Sequence, residues 1–439
     1  MKKKWNHLRK VSLSIAAVVG LSTVLAACSG GTKESATDTK DSSTGKQAQT
    51  IRLVAANHPW TEAIKPLLPE FEKETGIKVK VDSYFEDQLS QKTSVEFAAN
   101  AKSIDVVMFR PLQDGKQFEK NGYFSSLNEY VSKEKGSTDD FVPSALGSVK
   151  KGDNLYGFPV VTESTVLYYR KDILDKAGLQ PPTTLDELKE QAKQLSDPDN
   201  GLYGFVARGK RSPAVTQFSS FLYSHGADFM KDGKATLNTP EAMEAFAYYG
   251  GMLKNYGPPG TLNMSWPEAM AVFTQGKAVF YTDASALYTN ATDPSKSSVA
   301  DKVGFAPFPA GPGGNHVAAP PAWAIGIGAN SEQKDAAWEF VKWATSKDIV
   351  LALQKTGITG ALTSVWDSPE GTEKFPKDLT EAIVTNNKYG IPYDRPAIVN
   401  VGAARDAIGD VINAAIEGKD VEAAAKKANQ TFQEILDKE

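Results

Sequence analysis

The chain contains one cysteine in 439 residues, Cys28, and only four histidines. A single thiol excludes an internal disulfide, so the folded part must be held by burial alone. His58, His225 and His316 stand singly, without a second histidine or cysteine at metal-ligand spacing, and no Gly-x-Ser-x-Gly elbow marks a serine nucleophile. No metal and no cofactor are therefore expected. Positive charge is scarce too. Five of the 49 Lys and Arg residues fall in the first 27 positions with none of the 53 Asp and Glu, which leaves the remainder at −9. Such a surface excludes nucleic acid, whose binding depends on neutralising phosphates with a basic face. Short-period repeats are absent.

What is present begins at the N-terminus. Lys2, Lys3, Lys4, Arg9 and Lys10 precede an apolar stretch over residues 11–24 that is shorter than an ordinary spanning helix, the pattern of an export signal. Leu25-Ala26-Ala27-Cys28 resembles the lipobox of bacterial lipoproteins. That resemblance implies removal of residues 1–27 and lipidation of Cys28, and two or more acyl chains hold a protein stably on a membrane. The expected location is the cell membrane, on its extracytoplasmic face. Residues 28–50 are mostly Gly, Ser, Thr, Lys, Asp and Gln, too polar to order themselves. They read as a flexible tether spanning roughly 25 Å.

The rest of the chain is longer than one core usually supports, which predicts two lobes. A strand over residues 51–55, an amphipathic helix over 61–74 stopped by Gly76, a strand over 77–83, a helix over 88–99 and an apolar strand over 104–109 alternate in the manner of an α/β sheet covered by helices. Ligands of open α/β sheets sit beyond the carboxyl ends of the strands. The loops at 57–60, 84–87 and 109–113 are thus expected at one edge.

Two blocks carry a family resemblance. Phe71-Glu72-Lys73-Glu74-Thr75-Gly76-Ile77-Lys78-Val79 followed by Asp105-Val106-Val107, and the block from Pro159 through Val160, Val161, Thr162, Glu163, Ser164 and Thr165 to Tyr168, Tyr169 and Arg170, resemble the maltodextrin-binding protein and its relatives, the carbohydrate-type solute-binding proteins of ATP-driven (ABC) importers. Residues 273–285 and 320–345 add further similarity. The chain departs from the family at Arg170, where relatives have Asn or Asp. The resemblance implies a two-lobed, type II periplasmic-binding-protein fold, with a three-segment hinge and the ligand between the lobes. By that map residues 51–160 plus 283–330 form lobe 1, residues 161–282 plus 331–439 form lobe 2, and the hinge crosses near 160–163, 281–285 and 331.

A sugar or polyol presents hydroxyls that both donate and accept, and C–H faces that pack on aromatic rings, so its site needs carboxylates, guanidinium forks and aromatic side chains. Trp60, after the first strand, either staples the helix that follows or faces the cleft. Glu86 follows the second strand; Phe109 and Arg110 end the third. The resemblance places Phe109 where relatives stack an aromatic on ligand, and Glu163 where they present an acid to sugar hydroxyls. Arg208 leads the turn after a strand over 203–207. Ser265-Trp266-Pro267-Glu268 reads as a helix start in which Trp266 has no capping role. Asp283 stands where the family often has a Gly and then an aromatic, and is expected to supply a hydroxyl acceptor. Trp323 occupies a position where relatives present a tryptophan, while Arg395 lies in a late loop beside Asp394.

The reading that follows is a monomeric, lipid-anchored binding protein for a small carbohydrate or sugar alcohol, with the membrane subunits of an ABC importer as partner and no enzymatic activity. A secreted glycoside hydrolase and a surface adhesin or scaffold are the alternatives.

Overall fold

The computed structural model describes residues 49–134 and 137–439. The export signal, Cys28 and most of the tether lie outside the described residues.

The alternating pattern forms the expected opening. Strand β1 (Gln49–Ala56) pairs in parallel with β2 (Ile77–Tyr84) and with β3 (Val106–Phe109). The helical stretch between β1 and β2 is broken rather than continuous. Helix Pro59–Ile64 passes through a short 3-10 turn at Lys65–Leu67 into helix Leu68–Thr75, because Pro66 and Pro69 lack the amide protons that a single helix would need. Gly76 ends it at φ +73°, a left-handed conformation that favours glycine.

The other strands are β4 (Phe158–Thr162), β5 (Thr165–Arg170), β6 (Tyr203–Val206), β7 (Ala278–Ala284), β8 (Val303–Ala306) and β9 (Pro321–Ile327). Two principal sheets result, one in the order β2-β1-β3-β9-β4 and the other in the order β8-β5-β7-β6. Each has its own core. Around the first, Phe71 meets Phe340 at 5.6 Å and Trp343 at 5.0 Å between ring centroids, and Tyr130 stacks on Trp338 at 5.0 Å. In the second, successive residues of β5 alternate between two clusters: Leu167 and Tyr169 join one, Val166 and Tyr168 the other. This period of two shows that both faces of that sheet are covered.

The lobe boundaries read from the sequence need correction. Residues 283–318 stay with the second sheet, because β8 completes the edge of β5, from Val303 opposite Arg170 to Ala306 opposite Leu167, and satisfies its backbone. Residues 331–354 belong to the first lobe: helix Lys334–Ala344 buries Ala337, Phe340 and Val341 in the first core, and the Ser331 hydroxyl donates to Asp105 at 2.5 Å. The chain leaves the first sheet at Glu163 and Ser164, between β4 and β5, as expected. It returns at 319–320 rather than near 281–285, and crosses again around 359–366, where Val365 lies in the first core and Trp366 in the second lobe's. Arg170, the departure from the family block, forks onto Asp172 at 2.7 and 2.6 Å and has a structural role.

Phe109 shows how tightly the first core is built. It is 1 % exposed, its ring lies 4.5 Å from that of Phe124, and a Cβ at Gly157 would approach its ring to 2.9 Å. Phe109→Ala is expected to destabilise the protein by about 3–5 kcal/mol through the cavity it leaves, as measured by urea unfolding.

Candidate functional site

Three strand ends meet at one edge of the first sheet. β9 runs antiparallel to both β3 and β4, with Ala324 opposite Phe109 and Trp323 opposite Val161. Arg110, one residue beyond β3, is thereby brought over the Trp323 ring, its guanidinium carbon 6.0 Å from the centroid. Glu163, one residue beyond β4, is fixed by its amide donating to the Pro320 carbonyl at 3.0 Å. The second lobe brings up Asp394 and Arg395. Together with Leu112, Gln113 and Ala322, these groups enclose a cavity of about 220 Å³. Larger hollows, of about 630, 970, 400 and 250 Å³, lie elsewhere: along β8 and helix Lys377–Asn387, beside Gln49 and helix Lys334–Ala344, between helices Val401–Glu417 and Val421–Leu436, and between Phe141 and Trp338. None of them brings strand ends of the first sheet to face the second lobe, so the smaller cavity is the candidate site.

The turn after β3 explains how Arg110 is held. Its carbonyl accepts from the amides of Gln113, Asp114 and Gly115, which folds Asp114 back on it. The guanidinium donates to Asp114 at 3.1 Å and to the Ser90 hydroxyl at 2.9 Å. Arg395 is clamped by its neighbour Asp394, which accepts from Nε at 2.5 Å and Nη2 at 2.6 Å. The remaining donors of Arg395 reach Gln113 Oε1 of the first lobe at 3.4 Å and the Thr216 hydroxyl at 3.3 Å. Behind it, Arg405 also donates to Thr216 at 3.3 Å, and to the Ser212 carbonyl at 3.1 Å. Burial alone would raise the Asp394 carboxyl, yet Arg395, with Arg405 and Arg208 behind it, holds it below the ordinary range.

Glu163 differs from these. Among the described residues no side chain donates to its carboxylate, although it lies on the cavity wall. Burial pushes the carboxyl up to about 7, against the opposing pull of Arg208. The side chain is half-buried at the cavity wall, so its oxygens stay open to solvent or to the hydroxyl of a ligand.

Of the residues predicted from sequence, Arg110, Glu163, Trp323 and Arg395 line this cavity. Four others do not. Trp60 is 1 % exposed in the first core, inside helix Pro59–Ile64 rather than ahead of its cap, and its amide donates to the capping His58 Nδ1 at 3.1 Å. Phe109 points into the same core. Asp283 is fully buried beneath the cavity and accepts from Arg208 at 2.9 and 2.5 Å, from Gln217 at 3.0 Å and from the Tyr281 hydroxyl at 2.7 Å. It is a counter-charge for Arg208, with its oxygens already engaged. Arg208 in turn is spent on that fork and acts on the cavity through its charge near Glu163. Trp266 heads helix Trp266–Thr274, whose capping box is formed by Ser265 and Glu268; it is 39 % exposed and outside the cavity wall. Glu86 is the first residue of helix Glu86–Ala98, and its side chain is outside the described ones.

Sequence reasoning missed Gln113 and Asp394. Asp394 had a signal, the adjacent Asp-Arg pair ahead of Pro396, which reads as a self-contained ion pair. Gln113 had only its place at the end of the loop over 109–113, and the turn over Pro111–Gly115 brings it to the cavity. His58 was visible only as part of a loop. Its ring stands 5.7 Å from that of Trp323, and burial pulls its pKa down to about 4, so it is neutral near pH 7.

The buried Arg208–Asp283 pair makes a direct prediction. Removing one partner strands the other charge, so Asp283→Ala should cost about 3–5 kcal/mol in chemical denaturation. A loss below about 1 kcal/mol would show that Arg208 does not depend on it.

Comparison with known proteins identifies the family. Residues 57–350 match the family model described as bacterial extracellular solute-binding protein. A mannitol-binding protein of Pseudomonas aeruginosa is 29 % identical over 306 residues, covering 68 % of this chain and 70 % of the relative. An erythritol/L-threitol-binding protein of Mycolicibacterium smegmatis is 27 % identical over 380 residues, covering 80 % and 79 %. A solute-binding protein of an ABC transporter from Agrobacterium radiobacter, solved in complex with ribitol, superposes with a TM-score of 0.74 at 30 % identity, over 88 % of this chain and 98 % of that one. With strand ends of one lobe facing the other across a small polar cavity, and with the family model spanning most of the folded part, the chain belongs to the bacterial extracellular solute-binding proteins, the binding components of ABC importers.

Proposed function

We propose that this protein captures one small, uncharged sugar or sugar alcohol between its lobes and delivers it to the membrane subunits of an ABC importer. The observation that carries this reading is the Glu163 carboxylate, which faces the cavity without a donor while the surrounding charges are paired. Arg110 with Asp114, and Arg395 with Asp394, offer fixed donors and acceptors whose net charge is zero, which suits a neutral ligand rich in hydroxyls. The relatives named for mannitol and for erythritol, and the structure holding ribitol, support the same ligand class.

Transport by this reading uses lobe closure. Groups of both lobes line the cavity, so a ligand touching Glu163 and Arg110 on one side and Arg395 on the other favours the closed arrangement by its differential affinity. Delivery requires the protein to stay near the membrane, for which a lipid on Cys28 and a tether over residues 28–50 are the proposed means, with a monomer as the working unit. A hydrolase would need two working carboxyls ~5–9.5 Å apart. Of the two carboxyls on this wall, Asp394 has both oxygens engaged by Arg395, which favours binding over turnover.

The test is calorimetric titration with a panel of sugars and alditols, followed by Glu163→Ala. Loss of a hydrogen bond to a charged acceptor should weaken binding by about 1.5–3 kcal/mol; an unchanged affinity would remove Glu163 from the site. A pH dependence follows as well. A hydroxyl donated to the ionised carboxylate lowers its bound pKa below the free value of about 7, so affinity should rise as pH climbs towards about 7 and level off above it. Glu163→Gln should flatten this profile. In the ligand-free protein the sign is reversed for stability: the unfolded carboxyl ionises near 4.5 and the folded one near 7, so Glu163's contribution is greatest below the first value and is lost as pH rises through the second.

A further inference from the structure

Among the described residues the cavity has an unusual wall for a sugar site, because no aromatic face lies open in it. Trp323 is the only aromatic side chain among the described residues of the wall, and it is 4 % exposed, with the Arg110 guanidinium over its ring and the His58 ring beside it. Arg110 cannot swing aside freely, since Asp114 and Ser90 hold it. Trp60 and Phe109, the other rings near these strand ends, are committed to the core. A pyranose ring shows a broad C–H face that needs such a platform. An open-chain polyol shows no such face and carries a hydroxyl at each carbon, which matches a wall of two carboxylates, one amide and two guanidinium groups.

Length is limited as well. At about 220 Å³ the cavity is smaller than the ~300–1,000 Å³ of ordinary ligand clefts. One side is closed by a contact between the lobes, in which Arg395 donates to Gln113 Oε1 at 3.4 Å. Arg395 is rigid because Asp394 grips it on two nitrogens, and Gln113 is placed by the tight turn on the Arg110 carbonyl. We propose that Gln113, bonded across the cleft to Arg395, is an end-stop that restricts the site to a single open-chain polyol and shuts out pyranosides and oligosaccharides. This rests on the reading of the cavity as a sugar or polyol site.

The experiment titrates the full chain with erythritol, ribitol and D-mannitol as open-chain probes, methyl α-glucoside as a ring probe and maltitol as a long probe. At least one open-chain probe is expected to bind about tenfold or more tightly than either of the others, a difference of about 1.4 kcal/mol. In Gln113→Ala, and to a lesser degree in Gln113→Asn, maltitol affinity should rise about tenfold relative to that of the short alditol. A merely structural role for Gln113 would weaken all probes alike and leave the ratio unmoved, which overturns the end-stop. Tight wild-type binding of methyl α-glucoside or maltitol overturns the proposal while leaving the sugar-binding reading intact. Absence of any heat with every probe sinks both.

Discussion

A half-buried carboxylate to which no described side chain donates sets the terms for the whole cleft. Glu163 is placed by backbone: it follows the last residue of a strand, and its amide is tied to the Pro320 carbonyl. Every neighbouring charge is arranged around that fact. Arg208 stands close enough to temper the cost of ionising Glu163, yet it is itself neutralised by Asp283, so it does not form an ion pair that would satisfy the carboxylate. The site is thus left one hydrogen bond short in the way that a hydroxylated guest can make good.

The same logic explains why so many charged groups can be buried together. Arg110, Arg208 and Arg395 each have a carboxylate on both prongs or close by, and those carboxylates belong to their own lobe. Each half of the cleft is therefore electrically complete before the other half arrives. Contacts between halves include the 3.4 Å approach of Arg395 to Gln113 and a hydrogen bond from Lys120 to the Glu439 carbonyl. Lobes so constructed can part without stranding a charge, which hinge motion requires.

The hinge is built from hydroxyls and amides. The Thr162 hydroxyl donates to the Gly360 carbonyl at 2.8 Å while Thr359 donates back to the Thr162 carbonyl at 2.6 Å. Ser285 accepts from the Ser164 amide at 3.1 Å, and Asn386 bonds the Ser164 hydroxyl and the Thr165 carbonyl. Such bonds are short-ranged and can be exchanged one by one, whereas a packed apolar seam would resist rotation.

From the sequence alone the alternation of strands and helices, the stop at Gly76, the capping box before helix Trp266–Thr274 and the crossing after β4 could all be read, because each depends on residues close together in the chain. That Glu163 and Trp323 stand at strand ends was legible for the same reason, with a family block marking each. What only the tertiary structure decided was direction and partnership. Phe109 turns inward because Gly157 and Gly115, from other segments, leave room for its ring, and Asp283 becomes a counter-charge because Gln217 and Tyr281 close over it. Edge pairing of β8 with β5 likewise fixed which lobe owns residues 283–318. Periodicity says which face of an element is apolar; it does not say what packs against that face, and on that packing the membership of the cleft depends.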